Sequence, residues 1–157
     1  MADLAAAAGV SHLIVYRHFE SKHELYDTVL AGARERVVEL TTVRDTLGTH
    51  GPTPEALLAA ARADPEAFEV LWRHATREPE FRHHSDTARA RLEAAVAAAL
   101  VGIVPARQIR WAARATVAYL VEAVLIWIED GDHALDDRFV RATDAALRAG
   151  IQSWSQP

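Results

Sequence analysis

The segment from Leu4 to Leu25 constrains the fold of this chain more than any other part of the sequence. Small apolar residues give a first short helix one apolar face, and Gly9 follows where a helix commonly ends in a left-handed conformation. Ser11 is a good N-cap for a second short helix, in which Val15 and Phe19 face inward at i and i+4 spacing. Two helices joined by a glycine-containing turn form a helix-turn-helix, whose second helix can enter the major groove of DNA.

The turn after the second helix carries a further signal. Ser21 and Glu24 have the spacing of a capping box directly before Leu25, which predicts the start of a third, longer helix. A helix start presents free N–H groups and the positive end of the helix dipole, and both favour a bound phosphate. Lys22, the only lysine of the chain, adds a full positive charge at this place.

These residues resemble the tetracycline-repressor (TetR) family of bacterial regulators, through the run Ala-Gly-Val-Ser at 8–11 and through Tyr16, His18, Phe19, Ser21, Lys22 and Leu25. The resemblance implies an all-helical homodimer that represses transcription until a small molecule binds. It implies that Tyr16, His18 and Lys22 contact phosphates, and that base edges are faced by His12, Leu13, Ile14 and Arg17. The expected DNA-binding residues are Ser11, His12, Leu13, Ile14, Tyr16, Arg17, His18 and Lys22.

The chain departs from the family pattern in two places. The family has another helix before this motif, whereas Met1 stands almost at the start of the expected second helix. We therefore expect an incomplete DNA-binding module: either the true start lies upstream, or this product binds DNA poorly. Leu13 and Ile14 replace the small residues that are usual in the family. They could touch thymine methyl groups, or they could form an exposed apolar patch.

Composition limits the class of protein. The chain has 157 residues, of which 50% are hydrophobic, so one domain or a small module joined to a larger one can bury a sizeable core. It contains no cysteine, which excludes disulfides and thiol chemistry. The first residues do not have the pattern of a signal peptide, and no uninterrupted apolar run reaches the roughly 18 residues of a membrane span. We expect a cytoplasmic protein without a membrane partner.

The charge balance argues against a general nucleic-acid binder. The formal net charge is −5, and residues 1–40 carry four basic side chains against six acidic ones. Proteins that bind nucleic acid without sequence preference usually show a basic stripe. If this chain binds DNA, we expect a dimer with paired recognition helices and an affinity that falls steeply with salt.

Turn signals divide the chain into six predicted helices after the helix-turn-helix pair, at about 21–47, 54–63, 64–78, 85–103, 105–130 and 136–154. Asp64 is the predicted N-cap of the third of these with Pro65 at its first position, and Ser85 or Asp86 caps the fourth. The predicted fold is all-α. Residues 1–40 form the helix-turn-helix DNA-binding module, and residues 41–157 form a helical effector-binding and dimerisation domain.

The last two predicted helices suggest a subunit interface. Apolar residues surround nearly the whole helix at 105–130, so most of its sides should be buried. We expect these helices to form a four-helix interface with a second copy of the chain, although an ordinary monomeric core would show the same pattern. The expected interface residues are Val117, Val121, Val124, Ile128, Phe139, Thr143, Leu147, Ile151 and Trp154.

Aromatic residues in the C-terminal part could line a small-molecule pocket, or they could be ordinary core residues. The candidates are Phe68, Trp72, Phe81, Trp111 and Tyr119. Glu122 interrupts an apolar run; it could contact a ligand, pair with an arginine, or lie at an interface rim.

The sequence gives little support for a metal site, an enzyme active site or a bound cofactor. His83 and His84, with His74 nearby, are neighbours on a predicted helix and should point in different directions, so we expect no metal site. The sequence has no phosphate loop, nucleophile elbow or glycine-rich fingerprint, and we expect neither catalysis nor a cofactor. The favoured function is a ligand-responsive repressor that binds operator DNA. The alternative is a truncated helical dimer that binds a small molecule without binding DNA.

Overall fold

In the computed structural model, residues 19–42 and 52–155 are described, and they form helices and turns without a β-strand. The all-α prediction is confirmed. The α-helices are α1 (Lys22–Thr42), α2 (Pro54–Ala63), α3 (Pro65–Glu69), α4 (Arg82–Ala99), α5 (Ala106–Asp130) and α6 (Asp136–Trp154). The predicted first two helices lie outside the described residues.

Helix α1 packs against α2 and α4. Leu30, Ala33 and Val37 are buried at the spacing of one helix face. Val29 of the same helix lies off this face and is 40% exposed. The predicted continuation of this helix to Leu47 lies outside the described residues.

Proline and capping residues set the starts of α2 and α3. Pro54 opens α2, and the hydroxyl of Thr53 accepts a 3.1 Å hydrogen bond from the backbone N–H of Ala56. Pro65 opens α3, and the carboxylate of Asp64 accepts a 3.1 Å bond from the N–H of Ala67. The predicted cap at Asp64 is therefore confirmed.

The sequence predicts a single helix over 64–78, but residues 65–77 form three successive segments with different helical winding. The α-helical α3 passes into a π-helical turn (Val70–His74), in which the N–H of Ala75 donates to the carbonyl of Val70, and then into a 3₁₀ turn (Ala75–Arg77). Turns with i to i+5 bonds are rare and often occur at functional sites. Phe68, Leu71, Trp72 and Ala75 remain buried through this change of winding.

Helix α4 begins at Arg82, before the predicted start at Ser85. The backbone N–H groups of Phe81 and Arg82 both donate to the carbonyl of Glu78, so the chain turns directly into the helix. Ser85 therefore lies inside the first turn, where its hydroxyl donates a 2.9 Å bond to the carbonyl of Arg82 and cannot cap the helix. The helix ends at Ala99, before the predicted Ile103, and Gly102 follows with a φ of +79°.

Helix α5 lies at the centre of the described part of the chain, in contact with α2, α4 and α6. Ala113, Val117, Leu120 and Val124 are among its buried residues. By length and composition alone α5 could cross a membrane. The central helix of a folded core has the same composition, and the face of α5 that carries these four residues is covered by the neighbouring helices.

Helix α6 starts at Asp136 as predicted, and this residue joins three helices. Its carboxylate accepts hydrogen bonds from Arg62 of α2 through Nε at 3.0 Å and Nη2 at 2.8 Å. It also accepts one from the indole Nε1 of Trp127 of α5. The Trp127 ring stacks on Phe139 of α6, with ring centroids 4.8 Å apart. Further along α6, which the structure describes from end to end, Thr143 is the one fully buried residue.

Candidate functional site

At the start of α1, one of the two bonds of the predicted capping box is present, and the other has a different donor. The backbone N–H of Glu24 donates a 3.1 Å bond to the hydroxyl of Ser21, as expected for a capping box. The carboxylate of Glu24 accepts its return bond, at 2.6 Å, from the N–H of Glu20 rather than from that of Ser21. Lys22 is the first residue of α1 and is exposed. A cation is therefore available beside the positive end of a capped helix.

The remaining expected DNA contacts, Ser11, His12, Leu13, Ile14, Tyr16, Arg17 and His18, lie outside the described residues. Within the predicted DNA-binding module, the structure describes residues 19–21 and the helix α1 that follows them.

Two of the candidate pocket aromatics lie together in the core. Phe68 and Trp72 are 2% and 4% exposed, and their ring centroids are 6.2 Å apart. The guanidinium of Arg89 lies 5.3 Å from the centre of the Trp72 ring, within the range of a cation–π contact. The indole N–H of Trp72 and the hydroxyl of Thr116 are buried and have no hydrogen-bond partner among the residues that the structure describes. Such groups are rare in folded proteins and mark places where a polar atom would be accommodated.

Phe81 is buried in a different environment. Its ring contacts those of Tyr26 and His23 on α1, with centroid distances of 4.6 and 4.8 Å. It therefore fixes the start of α4 against α1 and does not share an aromatic contact with the pair formed by Phe68 and Trp72.

The other three candidate pocket residues are on the surface of α5. Trp111 and Tyr119 are 55% and 44% exposed, and Glu122 is exposed as well. Trp111 makes an edge-on contact with Trp154 of α6 at 4.9 Å. The prediction of one internal pocket lined by all six residues is thus not what the structure shows. Residues of α5 separated by three or four positions share one face, and the face with these three side chains points away from the core.

A groove of about 660 Å³ lies between α4 and α5. It brings together side chains that the sequence interpretation did not group: Arg89, Glu93, Arg107, Arg110, Trp111 and Arg114. Arg114 faces Glu93 at 3.9 Å. Four guanidinium groups against one carboxylate make this groove strongly positive in a chain whose net charge is −5. Through Arg89 the groove is also adjacent to the buried Trp72 ring.

The expected interface residues fall into two groups. Val117, Val121, Val124 and Thr143 are at most 4% exposed within the single chain, so they belong to its own core and not to its surface. The face of α5 that carries these valines is covered by neighbouring helices. Ile128, Phe139, Leu147, Ile151 and Trp154 are partly buried and pack against that core. The exposed large apolar side chains of α5 are instead Trp111, Tyr119 and Ile126.

A polar cluster joins α1 to the start of α4. The imidazole of His84 is 2% exposed, and its Nε2 lies 2.7 Å from Oδ1 of Asp27. Its Nδ1 lies 3.3 Å from Nη1 of Arg34. His83 lies beside it, with ring centroids 3.9 Å apart and with Nε2 4.0 Å from the same Asp27 oxygen. The hydrogen bond from His84, together with the charges of nearby histidines, lowers the pKa of the Asp27 carboxyl, although partial burial opposes this shift.

Sequence reasoning missed this cluster because Asp27 and His84 are 57 residues apart and no local spacing connects them. The expectation that adjacent histidines diverge also does not apply here. The ligand atoms of Asp27, His83 and His84 all lie within 4.8 Å of one another.

Comparison with known protein families finds a match in one region of the chain. Residues 1–29 match the family model described as "Bacterial regulatory proteins, tetR family". No curated protein matches the chain. The matched residues include the predicted helix-turn-helix segment and the start of α1, where the N–H of Glu24 makes the expected bond to Ser21. Over these N-terminal residues the chain is similar to the tetR family of bacterial regulatory proteins.

Proposed function

We propose that this protein is a ligand-responsive transcriptional repressor that binds operator DNA as a homodimer. The proposal depends first on the family match over residues 1–29. The start of α1 supports it, because the positive end of the helix dipole with the exposed Lys22 beside it suits a DNA phosphate. By the same family relationship, we infer that the protein is cytoplasmic and acts by binding rather than by catalysis.

In this proposal, residues 1–40 are the DNA-binding module and residues 41–157 the effector-binding and dimerisation domain. Helix α1 crosses the boundary and packs against both α2 and α4. A change in the packing of α4 would therefore tilt α1 and change the separation of the two recognition helices. Those helices must reach major grooves about 34 Å apart to bind together. The effector shifts this equilibrium only if it binds the two arrangements with different affinities.

The proposed subunit interface lies on the exposed face of α5 and on the adjoining part of α6. Trp111, Tyr119 and Ile126 place three large apolar side chains on this face, each between 44% and 55% exposed. The small residues Ala115 and Ala118 lie between them and would permit close approach of a second helix. Two such helices from each copy would form a four-helix interface around a twofold axis.

The proposed effector site is the groove between α4 and α5. Its volume of about 660 Å³ suits a small molecule. The excess of arginine over glutamate favours a ligand with negative charge, since guanidinium groups bind carboxylates and phosphates through paired hydrogen bonds. Trp111, Ala115 and Ala118 line this groove and also lie on the proposed interface face of α5, so a bound ligand would lie at the edge of the subunit interface.

The direct test is a footprint on the promoter beside the gene for this chain, at two salt concentrations. We expect protection of two half-sites and a steep loss of affinity at the higher salt concentration. If the full chain protects no sequence at either concentration, the repressor proposal fails. That result would favour a helical dimer that binds a small molecule without DNA, to which the acidic balance of residues 1–40 is well suited.

A further inference from the structure

We propose that Asp27, His83 and His84 form a binding site for a first-row divalent transition metal ion, which would link α1 to α4. Their three ligand atoms lie within 4.8 Å of one another. They comprise two imidazole nitrogens and one carboxylate oxygen, a donor set that zinc sites use. The proposed function does not include this site, and the site does not depend on operator binding.

The distances require small adjustments. A tetrahedral zinc ion with bonds of about 2.0–2.1 Å separates its ligand atoms by about 3.3–3.4 Å. The Asp27 oxygen is 2.7 Å from Nε2 of His84 and 4.0 Å from Nε2 of His83. The first of these separations must open and the second must close, each by less than about 1 Å. The two imidazole ligand atoms, which lie within 4.8 Å of each other, must approach by up to about 1.5 Å. Rotation of the exposed side chains of Asp27 and His83 can supply these changes.

Burial and exposure are distributed as a metal site requires. The side chain of His84 is 3% exposed and is held in place by its neighbours. The side chains of Asp27 and His83 are 46% and 58% exposed, so an ion can reach them from solvent. Three protein ligands would leave a position for water in a four-coordinate site.

The protons can be assigned from the hydrogen bonds. Arg34 is always a donor, so Nδ1 of His84 accepts from it, and Nε2 carries the hydrogen that is donated to Asp27. When Nε2 binds a metal ion, its proton must be replaced, and the neutral imidazole then carries its proton on Nδ1. This N–H would then face the N–H donor of Arg34, and two donors cannot form a hydrogen bond with each other. The second contact of Arg34, with Glu35 at 3.5 Å, offers that side chain another position.

This arrangement predicts which ions bind. Imidazole nitrogen favours Zn²⁺, Co²⁺ and Ni²⁺, whereas Mg²⁺ and Ca²⁺ prefer sites built from oxygen ligands alone. It also predicts that Arg34 opposes metal binding. A structural hydrogen-bond cluster without metal affinity would show neither property.

The test uses the full chain, titrated calorimetrically with ZnCl₂, and with CoCl₂ under visible absorption. We expect one ion per chain and a Co²⁺ spectrum typical of low coordination number. His83→Ala should weaken Zn²⁺ binding by at least about 10-fold, the loss caused even by removing a supporting partner. Asp27→Asn should weaken it as well. His74→Ala is the matched control, because His74 is exposed and lies outside the cluster.

The variant Arg34→Ala distinguishes a metal site from a hydrogen-bond cluster that binds no metal. We expect this variant to bind Zn²⁺ more tightly, because the donor that faces Nδ1 is gone. His83 is exposed, so its replacement should leave the circular dichroism spectrum unchanged and the comparison valid. The proposal is overturned if Zn²⁺ does not bind the wild-type chain at 100 times the chain concentration used, or if His83→Ala and Asp27→Asn bind it as the wild type does. Loss of operator binding in the footprint would leave these results unaffected.

Discussion

The indole Nε1 of Trp127 donates a 2.7 Å hydrogen bond to Oδ1 of Asp136, nine residues further along the chain. The bond spans the turn between α5 and α6. The same carboxylate accepts two bonds from Arg62 of α2, and the side chains of Arg62 and Asp136 are only 22% and 19% exposed. These bonds therefore hold the antiparallel helices α5 and α6 against α2 at the end where the turn connects them.

We expect Asp136→Asn to lower the free energy of unfolding at pH 7 by about 1.5–3 kcal/mol, the typical contribution of a hydrogen bond to a charged group. Urea denaturation measures the change. Asp137→Asn is the matched control, since Asp137 also lies in the first turn of α6 but is exposed. It should cost less than about 1 kcal/mol, the usual size of a helix-dipole effect. Equal losses in the two variants would contradict the structural role of Asp136.

The same carboxylate predicts a pH dependence. The hydrogen bond from Arg62 is the main reason why the pKa of Asp136 is lowered, with a further contribution from Trp127 and a partial opposition from burial. A carboxyl whose pKa is lower in the folded state stabilises the fold above its unfolded value of about 3.9, and this stabilisation is lost as the pH falls through the folded value. The advantage of the wild type over Asp136→Asn should thus stay constant from pH 7 to about pH 5 and decrease below about pH 4. Denaturation curves at these pH values would show it, and an advantage that grows on acidification would refute the assignment.

Gly131→Ala should destabilise the domain by about 1–3 kcal/mol through overpacking. A Cβ atom at Gly131 would lie 2.5 Å from the carbonyl oxygen of Trp127 and 2.7 Å from its Cε2 atom. The tryptophan would have to move away from Phe139 and Asp136. Gly32→Ala is the contrasting variant, because nothing lies within 4 Å of its Cβ position inside α1. It should be neutral or stabilise by up to about 1 kcal/mol. Thermal unfolding of both variants tests whether Gly131→Ala lowers the stability while Gly32→Ala leaves it unchanged or raises it.

Lys22→Gln should weaken operator binding and reduce the salt slope by about one, as expected for the loss of one phosphate contact. Lys22→Arg keeps the charge at the helix start and should keep the slope. Fluorescence anisotropy with a labelled operator at several salt concentrations measures both values. An unchanged slope in Lys22→Gln would show that this cation does not contact the backbone of DNA.

Ile126→Glu should convert the proposed dimer into a monomer, because a carboxylate would be buried in an apolar interface without a partner. Light scattering should then give a mass near 17.2 kDa in place of twice that value. Val101→Glu is the matched control, since Val101 is also apolar and exposed but lies in the turn after α4. A dimer that persists in Ile126→Glu would place the interface elsewhere.

Local signals predicted the ends of several helices well. Asp64 with Pro65, and the turn before Asp136, fixed helix starts that the structure confirms. They succeed because proline and capping side chains act on backbone groups within three residues. Ser85 failed as a cap because the preceding turn at Glu78 had already started α4, and the serine hydroxyl then bonded backwards to Arg82.

The candidate sites depend on tertiary contacts, which local patterns do not encode. Trp72 and Trp111 looked equivalent in the sequence, but one is buried and the other exposed, because only packing decides which face of a helix is covered. The arginine groove and the pairing of Asp27 with His84 bring together residues from different helices. Composition could show that arginine and histidine were present, but it could not show that they meet.

The scarcity of full burial along α6 has a consequence for how this protein acquires its structure. A nineteen-residue helix with one deeply buried side chain, and with its other apolar residues only partly covered, gains less from its own domain than a fully covered helix does. In the proposed dimer, the second copy would supply the missing contacts, so that chain folding and subunit association become a single equilibrium. The midpoint of unfolding should then rise with protein concentration, and dilution alone should loosen the C-terminal helix.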